Sequence, residues 1–207
     1  MADLSPELRR QIARGLEVLE RGDVVAYPTD TVYGLGARMT SPEGVERVFL
    51  AKSRPRSMAL PLLVASLAQI EELAARVPPM ARRLIEAFLP GALTLILPAS
   101  ESVPDYLRTP EGTIALRIPA HPVPVALIEG SGSAIVGTSA NLSGRPNPLT
   151  AEEVRSQLGK GVALIIDGGR CSGRESTIVD VTGASPVTVR EGAISREAIQ
   201  RACSEAW

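Results

Sequence analysis

Four polar stretches carry the residues whose types and spacing could do chemistry. Thr29 to Gly36 reads Thr-Asp-Thr-Val-Tyr-Gly-Leu-Gly, and Lys52-Ser53-Arg54-Pro55-Arg56 is a compact basic segment. Gly137 to Asn147 combines Ser139, Asn141, Ser143, Arg145 and Asn147, and Arg190-Glu191-Gly192 follows an apolar run. Hydroxyls, amides and isolated cations with no evident nucleophile or histidine base suit an anionic, phosphate-bearing ligand. A reaction whose partners attack one another directly asks its protein mainly for positioning and charge neutralisation. Each stretch taken alone could equally be a turn, a solvated helix end or a capping segment. Together they describe an enzyme or binder of an anionic ligand. Only two of the 22 basic residues are lysines, Lys52 and Lys160, which singles out Lys52 weakly.

Other chemistries fail on their own requirements. A Walker A loop needs Gly-Lys-Ser/Thr after its spacer, yet Gly168 to Glu175 places Arg174 and Glu175 there. Gly34-Leu35-Gly36 lacks the third glycine of a dinucleotide fingerprint, Met39 standing in its place. Gly137-Thr138-Ser139-Ala140-Asn141 resembles a nucleophile elbow but ends in asparagine. His121, in Pro119-Ala120-His121-Pro122, is the one histidine available as a base for Ser139. Its proline setting reads as a structural turn, which leaves a serine hydrolase as an outsider. With a single histidine and two distant cysteines, Cys171 and Cys203, no Cys/His zinc site can be assembled, and no protein metal ligands are expected.

The elements that must position these stretches follow from pattern. The 207 residues, 44% hydrophobic and 22% charged, suit a globular chain able to bury a core without staples. No repeat or linker divides it, so one domain over residues 1–207 is expected, its motif-bearing core at about 15–195. Ser5-Pro6 and Ser41-Pro42 open helices ending near Gly22 and Ala51. Ser66 to Gln69 and Thr150 to Glu153 have capping-box spacing, opening helices near 67–76 and 151–158. Further helices are expected over Met80–Phe88 and Pro122–Glu129 and after Ser195. Strands are expected at Val24–Tyr27, Leu60–Ala65, Leu93–Leu97, Thr113–Ile118, Ala134–Val136, Ala163–Ile166, Thr177–Val181 and Val187–Arg190. The polar stretch Thr29–Gly36 reads as a loop. Strands adjacent enough to pair antiparallel predict an α/β domain of the α+β type, a mixed sheet flanked by helices. Ligands of such sheets sit where loops converge beyond strand ends.

Net charge is −1, which opposes a wholesale nucleic-acid-binding coat. No run approaches the ~20 apolar residues that span a bilayer, and Met1 to Arg10 has no secretory h-region. A cytoplasmic protein with reduced thiols and no membrane partner is expected.

Seven stretches in order resemble the YrdC-like threonylcarbamoyl-AMP synthase family, the bacterial TsaC type. They are Pro28–Gly36, Lys52–Pro55, Leu89–Leu95, Ala115–Pro122, Thr138–Gly144, Ser176–Asp180 and Val189–Gly192. The resemblance implies a YrdC/RibB-like twisted sheet with a concave ligand cleft. It also implies an activity, in which ATP, L-threonine and bicarbonate give threonylcarbamoyl-AMP and pyrophosphate for tRNA N6-threonylcarbamoyladenosine. The threonine amine captures CO2, and the carbamate oxygen attacks the α-phosphorus of ATP with no enzyme nucleophile.

By the same resemblance Lys52 and Arg54 are catalytic residues at the triphosphate, helped by Mg2+ as the cofactor, and Arg190 is a second phosphate-side arginine. Thr113, Ser139, Asn141 and Asn147 fall where the family places nucleotide contacts. Arg117 matches the arginine that holds the threonine carboxylate, and Thr31, Gly137 and Ser176 complete the amino-acid pocket. For Arg117 a structural ion pair remains the rival reading. The downstream threonylcarbamoyl transferase complex is the implied partner, and tRNA contact is allowed.

Three departures from the pattern stand out. Met58 occupies a position where many relatives carry a further cation or asparagine, so either Arg56 substitutes or the phosphate grip is looser. Leu63 stands where some relatives have a threonine-contacting histidine. The chain stops at Trp207, which implies a short form without the C-terminal domain of longer relatives. Two other readings compete. One is an RNA-binding module, opposed by six aromatic residues and the net charge. The other is a dihydroxybutanone-phosphate synthase, opposed by scattered acids and a proline-flanked histidine.

Overall fold

A computed structural model of the chain describes residues 4–204; the outermost residues of the expected 1–207 domain, Met1–Asp3 and Glu205–Trp207, lie outside the described residues. Seven α-helices and ten strands form one mixed α/β domain among them. The helices are α1 (Pro6–Glu20), α2 (Pro42–Lys52), α3 (Leu67–Leu73), α4 (Pro79–Phe88), α5 (Pro122–Ser131), α6 (Ala151–Leu158) and α7 (Arg196–Ser204). The strands are β1 (Val25–Tyr27), β2 (Gly34–Gly36), β3 (Leu62–Leu63), β4 (Leu93–Pro98), β5 (Thr113–Arg117), β6 (Ile135–Val136), β7 (Thr138–Ser139), β8 (Leu164–Ile165), β9 (Thr177–Asp180) and β10 (Val187–Arg190).

Helix starts sit where their local chemistry places them. The side chains of Ser5, Ser41, Ser66 and Thr150 each accept a hydrogen bond from the backbone N–H three residues on, at 3.2, 3.1, 3.3 and 3.2 Å. At α3 and α6 the third helical residue reaches back one position beyond the cap. Gln69 Oε1 accepts from Ala65 N at 2.6 Å, and Glu153 Oε2 accepts from Leu149 N at 2.7 Å.

The mixed sheet resolves into two. One runs β7-β2-β1-β8, with β8 parallel to β1 and the other pairs antiparallel. The other runs β10-β9-β4-β5-β3-β6, alternating antiparallel and parallel pairs. The chain passes from the second sheet to the first between β6 and β7, with Gly137 alone between them. Gly137 N donates to Pro61 O at 2.9 Å, and a Cβ there would meet Leu63 Cγ at 2.4 Å. No side chain fits at that crossing.

The stretch Thr29–Gly36, expected as a loop, contains β2. Its glycines serve close packing. A Cβ at Gly34 would lie 2.6 Å from the Tyr27 ring, and one at Gly36 would lie 2.3 Å from Val136 O. Because the Gly36 neighbour is backbone, the clash has no side-chain escape. Gly36→Ala is expected to destabilise the fold by about 1–3 kcal/mol or more, read as a lower denaturant midpoint at unchanged m-value.

Alternation along the six-stranded sheet divides its residues between core and cavity. Leu93, Leu95 and Leu97 of β4, Ile114 and Leu116 of β5, and Val179 of β9 belong to the main core. Their alternates Thr94, Ile96, Ala115, Arg117 and Ile178 line a cavity.

Candidate active site

The cavity has a volume of about 290 Å³ and opens between the two sheets. The six-stranded sheet supplies its floor, while Thr29, Thr31, Val32 and Gly34 come from the first sheet and the turn entering it. Val189 and Arg190 both line it although they are neighbours on one strand. The cause is a register shift between β10 and β9, where Thr188 pairs with Val179 and Arg190 with Ile178, leaving Val189 as the extra residue.

Three guanidiniums, from Arg54, Arg117 and Arg190, line this space with one carboxylate, Glu175, a net charge of +2. Of the residues expected at the site, Thr31, Arg54, Arg117, Gly137, Ser139, Ser176 and Arg190 line it.

Arg54 reaches the cavity because of how α2 ends. Ser53 takes a left-handed conformation, φ 49°, with Ser53 N donating to Leu50 O at 3.1 Å and Arg54 N to Phe49 O at 3.0 Å. This is a Schellman closure with serine where glycine is usual. Arg54 Nη2 then donates to Ala59 O at 2.9 Å, and burial lowers its pKa.

Lys52, one residue before that turn, stands behind the wall. It is 1% exposed, and its ammonium donates to Ser139 O, to Asn141 O at 2.8 Å and to Asn141 Oδ1 at 3.0 Å. Three acceptors match three N–H protons. Burial, then the charge of Arg54, push its pKa down to about 8. Asn141 shares this layer. Its Oδ1 also accepts from Ser139 Oγ at 2.6 Å, and its Nδ2 donates to Arg145 O at 2.7 Å.

Arg117 is saturated on three sides. Nε donates to Gly91 O at 2.9 Å, Nη1 to Thr31 Oγ1 at 2.9 Å and Nη2 to Asp30 Oδ1 at 2.6 Å. The Asp30 pair makes the ion-pair reading of Arg117 real, yet two of its five N–H groups have no such assignment and it lines the cavity. Burial lowers its pKa, with Asp30 pulling the other way. Thr29 Oγ1 donates to Val32 O at 2.7 Å, so in its 2.9 Å contact with Thr31 Oγ1 the Thr31 hydroxyl is the donor.

On the far wall Arg190 Nη2 donates to Ser176 O at 2.9 Å, and its Nη1 lies 3.0 Å from Glu175 Oε2. Ser176 Oγ and Thr94 Oγ1 are 2.9 Å apart. Asn147 donates to Glu175 Oε1 and so lies behind that residue. Thr113 is elsewhere, at the end of β5 opposite Pro98, with its hydroxyl 2.8 Å from Thr109 Oγ1. Arg56 pairs with Glu46 and covers the Phe49 ring at 5.5 Å, and it is not among the residues that line the cavity. Leu63 lines the cavity, as an apolar contact.

Sequence reasoning passed over Thr94 and Glu175. Alternation on β4 was a signal for Thr94, whereas Glu175 was weighed only against a P-loop serine. No group of three or more His, Cys, Asp or Glu side chains able to hold a metal occurs among the described residues. The hydrolase reading loses its base, since His121 Nδ1 accepts from Val123 N at 3.2 Å as the cap of α5. No described helix is long and apolar enough to cross a membrane.

The chain is similar to the threonylcarbamoyl-AMP synthase of Bacillus subtilis (strain 168), 43% identical over 195 residues, or 92% of this chain and 56% of that protein. It superposes on Pyrococcus abyssi Sua5 complexed with L-threonine with TM-score 0.89 and 41% identity, over 94% of this chain and 57% of that one. It superposes on Escherichia coli YciO with TM-score 0.86 and 31% identity, over 94% and 95% of the two chains. The chain thus spans little more than half the length of the first curated relatives it matches, and nearly all of the YciO chain. The Sua5/YciO/YrdC family, described as telomere recombination, matches residues 17–192, and with that extent and these identities the chain belongs to it.

Proposed function

We propose that the protein is an L-threonylcarbamoyladenylate synthase, converting ATP, L-threonine and bicarbonate to threonylcarbamoyl-AMP and pyrophosphate. The observation that carries this reading is one cavity lined by three arginines and several hydroxyls but by no paired nucleophile and base. Such a lining binds and neutralises anions and leaves the bond-making to the substrates. The names of the Bacillus subtilis and Pyrococcus abyssi relatives support the same choice.

In this reading Arg117 presents its two remaining N–H groups to the amino-acid carboxylate, while the Thr31 hydroxyl accepts from Nη1 and fixes the guanidinium. Arg54 and Arg190 approach the triphosphate from the α2 end and from β10, offsetting the charge that grows on departing pyrophosphate. The Ser139 hydroxyl, fixed by Asn141, contacts the nucleotide. A Mg2+ that arrives on the triphosphate oxygens as part of the substrate would offset charge on the leaving group. Product use in tRNA modification, a downstream transferase partner and a cytoplasmic location belong to the same proposal.

The test is pyrophosphate release from ATP and Mg2+, with L-threonine and bicarbonate added separately and together. Release that requires both is the expected result. No release from folded protein under any combination overturns the reading.

A further inference from the structure

The amino acid proposed above is a zwitterion, so its site must meet a positive group as well as a negative one. Arg117 answers the carboxylate. The ammonium needs an anion, and the cavity offers one, since Glu175 is the only carboxylate among its lining residues. Asp30 is the nearest rival, but it is not part of that lining. Its Oδ1 is already bound to Arg117 Nη2 at 2.6 Å and Ala120 N at 3.2 Å. Glu175 accepts one bond on each oxygen, from Asn147 Nδ2 on Oε1 and from Arg190 on Oε2. Each carboxylate oxygen can accept a second. The other charged and hydroxyl groups cited in the cavity lining are cationic or neutral: Arg190 on β10, Arg54 after α2, Arg117 on β5, and the Ser176–Thr94 hydroxyl pair.

Resting on the synthase reading, we propose that Glu175 is a catalytic residue that anchors the substrate α-ammonium and takes its proton. An ammonium has no lone pair and cannot attack carbon. Transfer of one N–H proton to the Glu175 carboxylate frees that pair. The amine nitrogen then bonds the bicarbonate carbon as water leaves, carrying the bicarbonate hydroxyl and a second nitrogen proton, to give the carbamate. A carbamate oxygen attacks the α-phosphorus, the bond to pyrophosphate breaks, and the Glu175 proton returns to solvent. Arg190 and Asn147 keep the carboxylate in place during this sequence.

Glu175→Gln keeps the side chain's size and removes its charge. Its threonine KM, and its threonine Kd measured by calorimetry without ATP, are expected to rise at least about tenfold, with ATP KM changed less than about threefold. Its kcat relative to wild type is expected to climb from about pH 7 to about pH 9, because solvent base replaces the missing acceptor. Glu175→Asp, which retains the charge, is expected to recover part of the threonine affinity. A raised ATP KM with unchanged threonine constants would overturn the proposal, since Glu175 would then act only as the partner of Arg190. So would a loss equal at every pH accompanied by lower thermal stability. Wild-type protein that releases no pyrophosphate refutes the reaction, and the calorimetric comparison still decides whether Glu175 holds an ammonium.

Discussion

Arg117→Ala is expected to abolish threonine-dependent pyrophosphate release and to destabilise the fold by about 3–5 kcal/mol. The stability loss comes from the three bonds that hold the guanidinium, and the activity loss from the two N–H groups they leave for a substrate carboxylate. The guanidinium has 8% of its side chain exposed and Asp30 17%, so removing the cation leaves a carboxylate largely out of water with only Ala120 N to meet it. Gly91 O and the Thr31 hydroxyl lose their donors too. Adding Asp30→Asn removes the stranded charge and should return part of the lost stability, but none of the activity. Should the alanine variant fail to fold, Arg117→Lys separates the two roles. A lysine keeps a charge beside Asp30 but has no planar fork to share between Asp30 and a substrate carboxylate. It is expected to fold with threonine KM raised at least tenfold, on the order of 1.4 kcal/mol, and ATP KM little changed. Equal loss of affinity for both substrates would remove Arg117 from the amino-acid pocket.

That pairing shows where reading the chain residue by residue stops. Arg117 was legible as a candidate through the family resemblance of Ala115–Pro122, but its partner lies 87 residues away and no local pattern names it. Helices α1, α2, α3 and α6 were legible because their signals are local: a serine or threonine cap and its acceptor bond lie within three residues. Strands β2 and β7 were not. Gly34-Leu35-Gly36 and Thr138-Ser139 carry almost none of the branched or aromatic side chains that mark strands, and the two glycines stand where Tyr27 and Val136 leave room for nothing larger. The division into two sheets hangs on Gly137, and the presence of both Val189 and Arg190 at the cavity hangs on one extra residue in β10. These are consequences of register, which a single strand's composition does not contain.

Lys52 gives the second large effect, and its geometry changes what that effect means. The lysine touches the carbonyls of Ser139 and Asn141, so it acts on the cavity through the β7 segment. Lys52→Met should take the ammonium from those three oxygens, leaving Asn141 Oδ1 with the Ser139 hydroxyl, lower kcat at least tenfold, and raise the mobility of the segment seen by hydrogen exchange. Titration separates this role from a mere packing role. The ammonium has a pKa of about 8 in the folded protein against 10.5 for a free lysine. Between those values the unfolded chain binds more protons than the native state, so this group makes stability rise with pH across that window. Below about pH 8 both states are charged, and the folded protein bears the whole cost of burying the cation. The stability difference between wild type and Lys52→Met is therefore expected to widen from about pH 8 to pH 10.5, by up to about 3 kcal/mol. Taking the difference removes the opposing contributions of Tyr27, Tyr33 and the two cysteines, whose raised pKa values are common to both proteins. Over the same range wild-type kcat should fall with an apparent pKa near 8, because a neutral amine has two N–H groups for three acceptors. The Lys52 contribution to stability and the turnover thus move in opposite directions above pH 8. A stability difference flat in pH would show that Lys52 is not held in the buried, three-acceptor state from which the expected loss of activity follows.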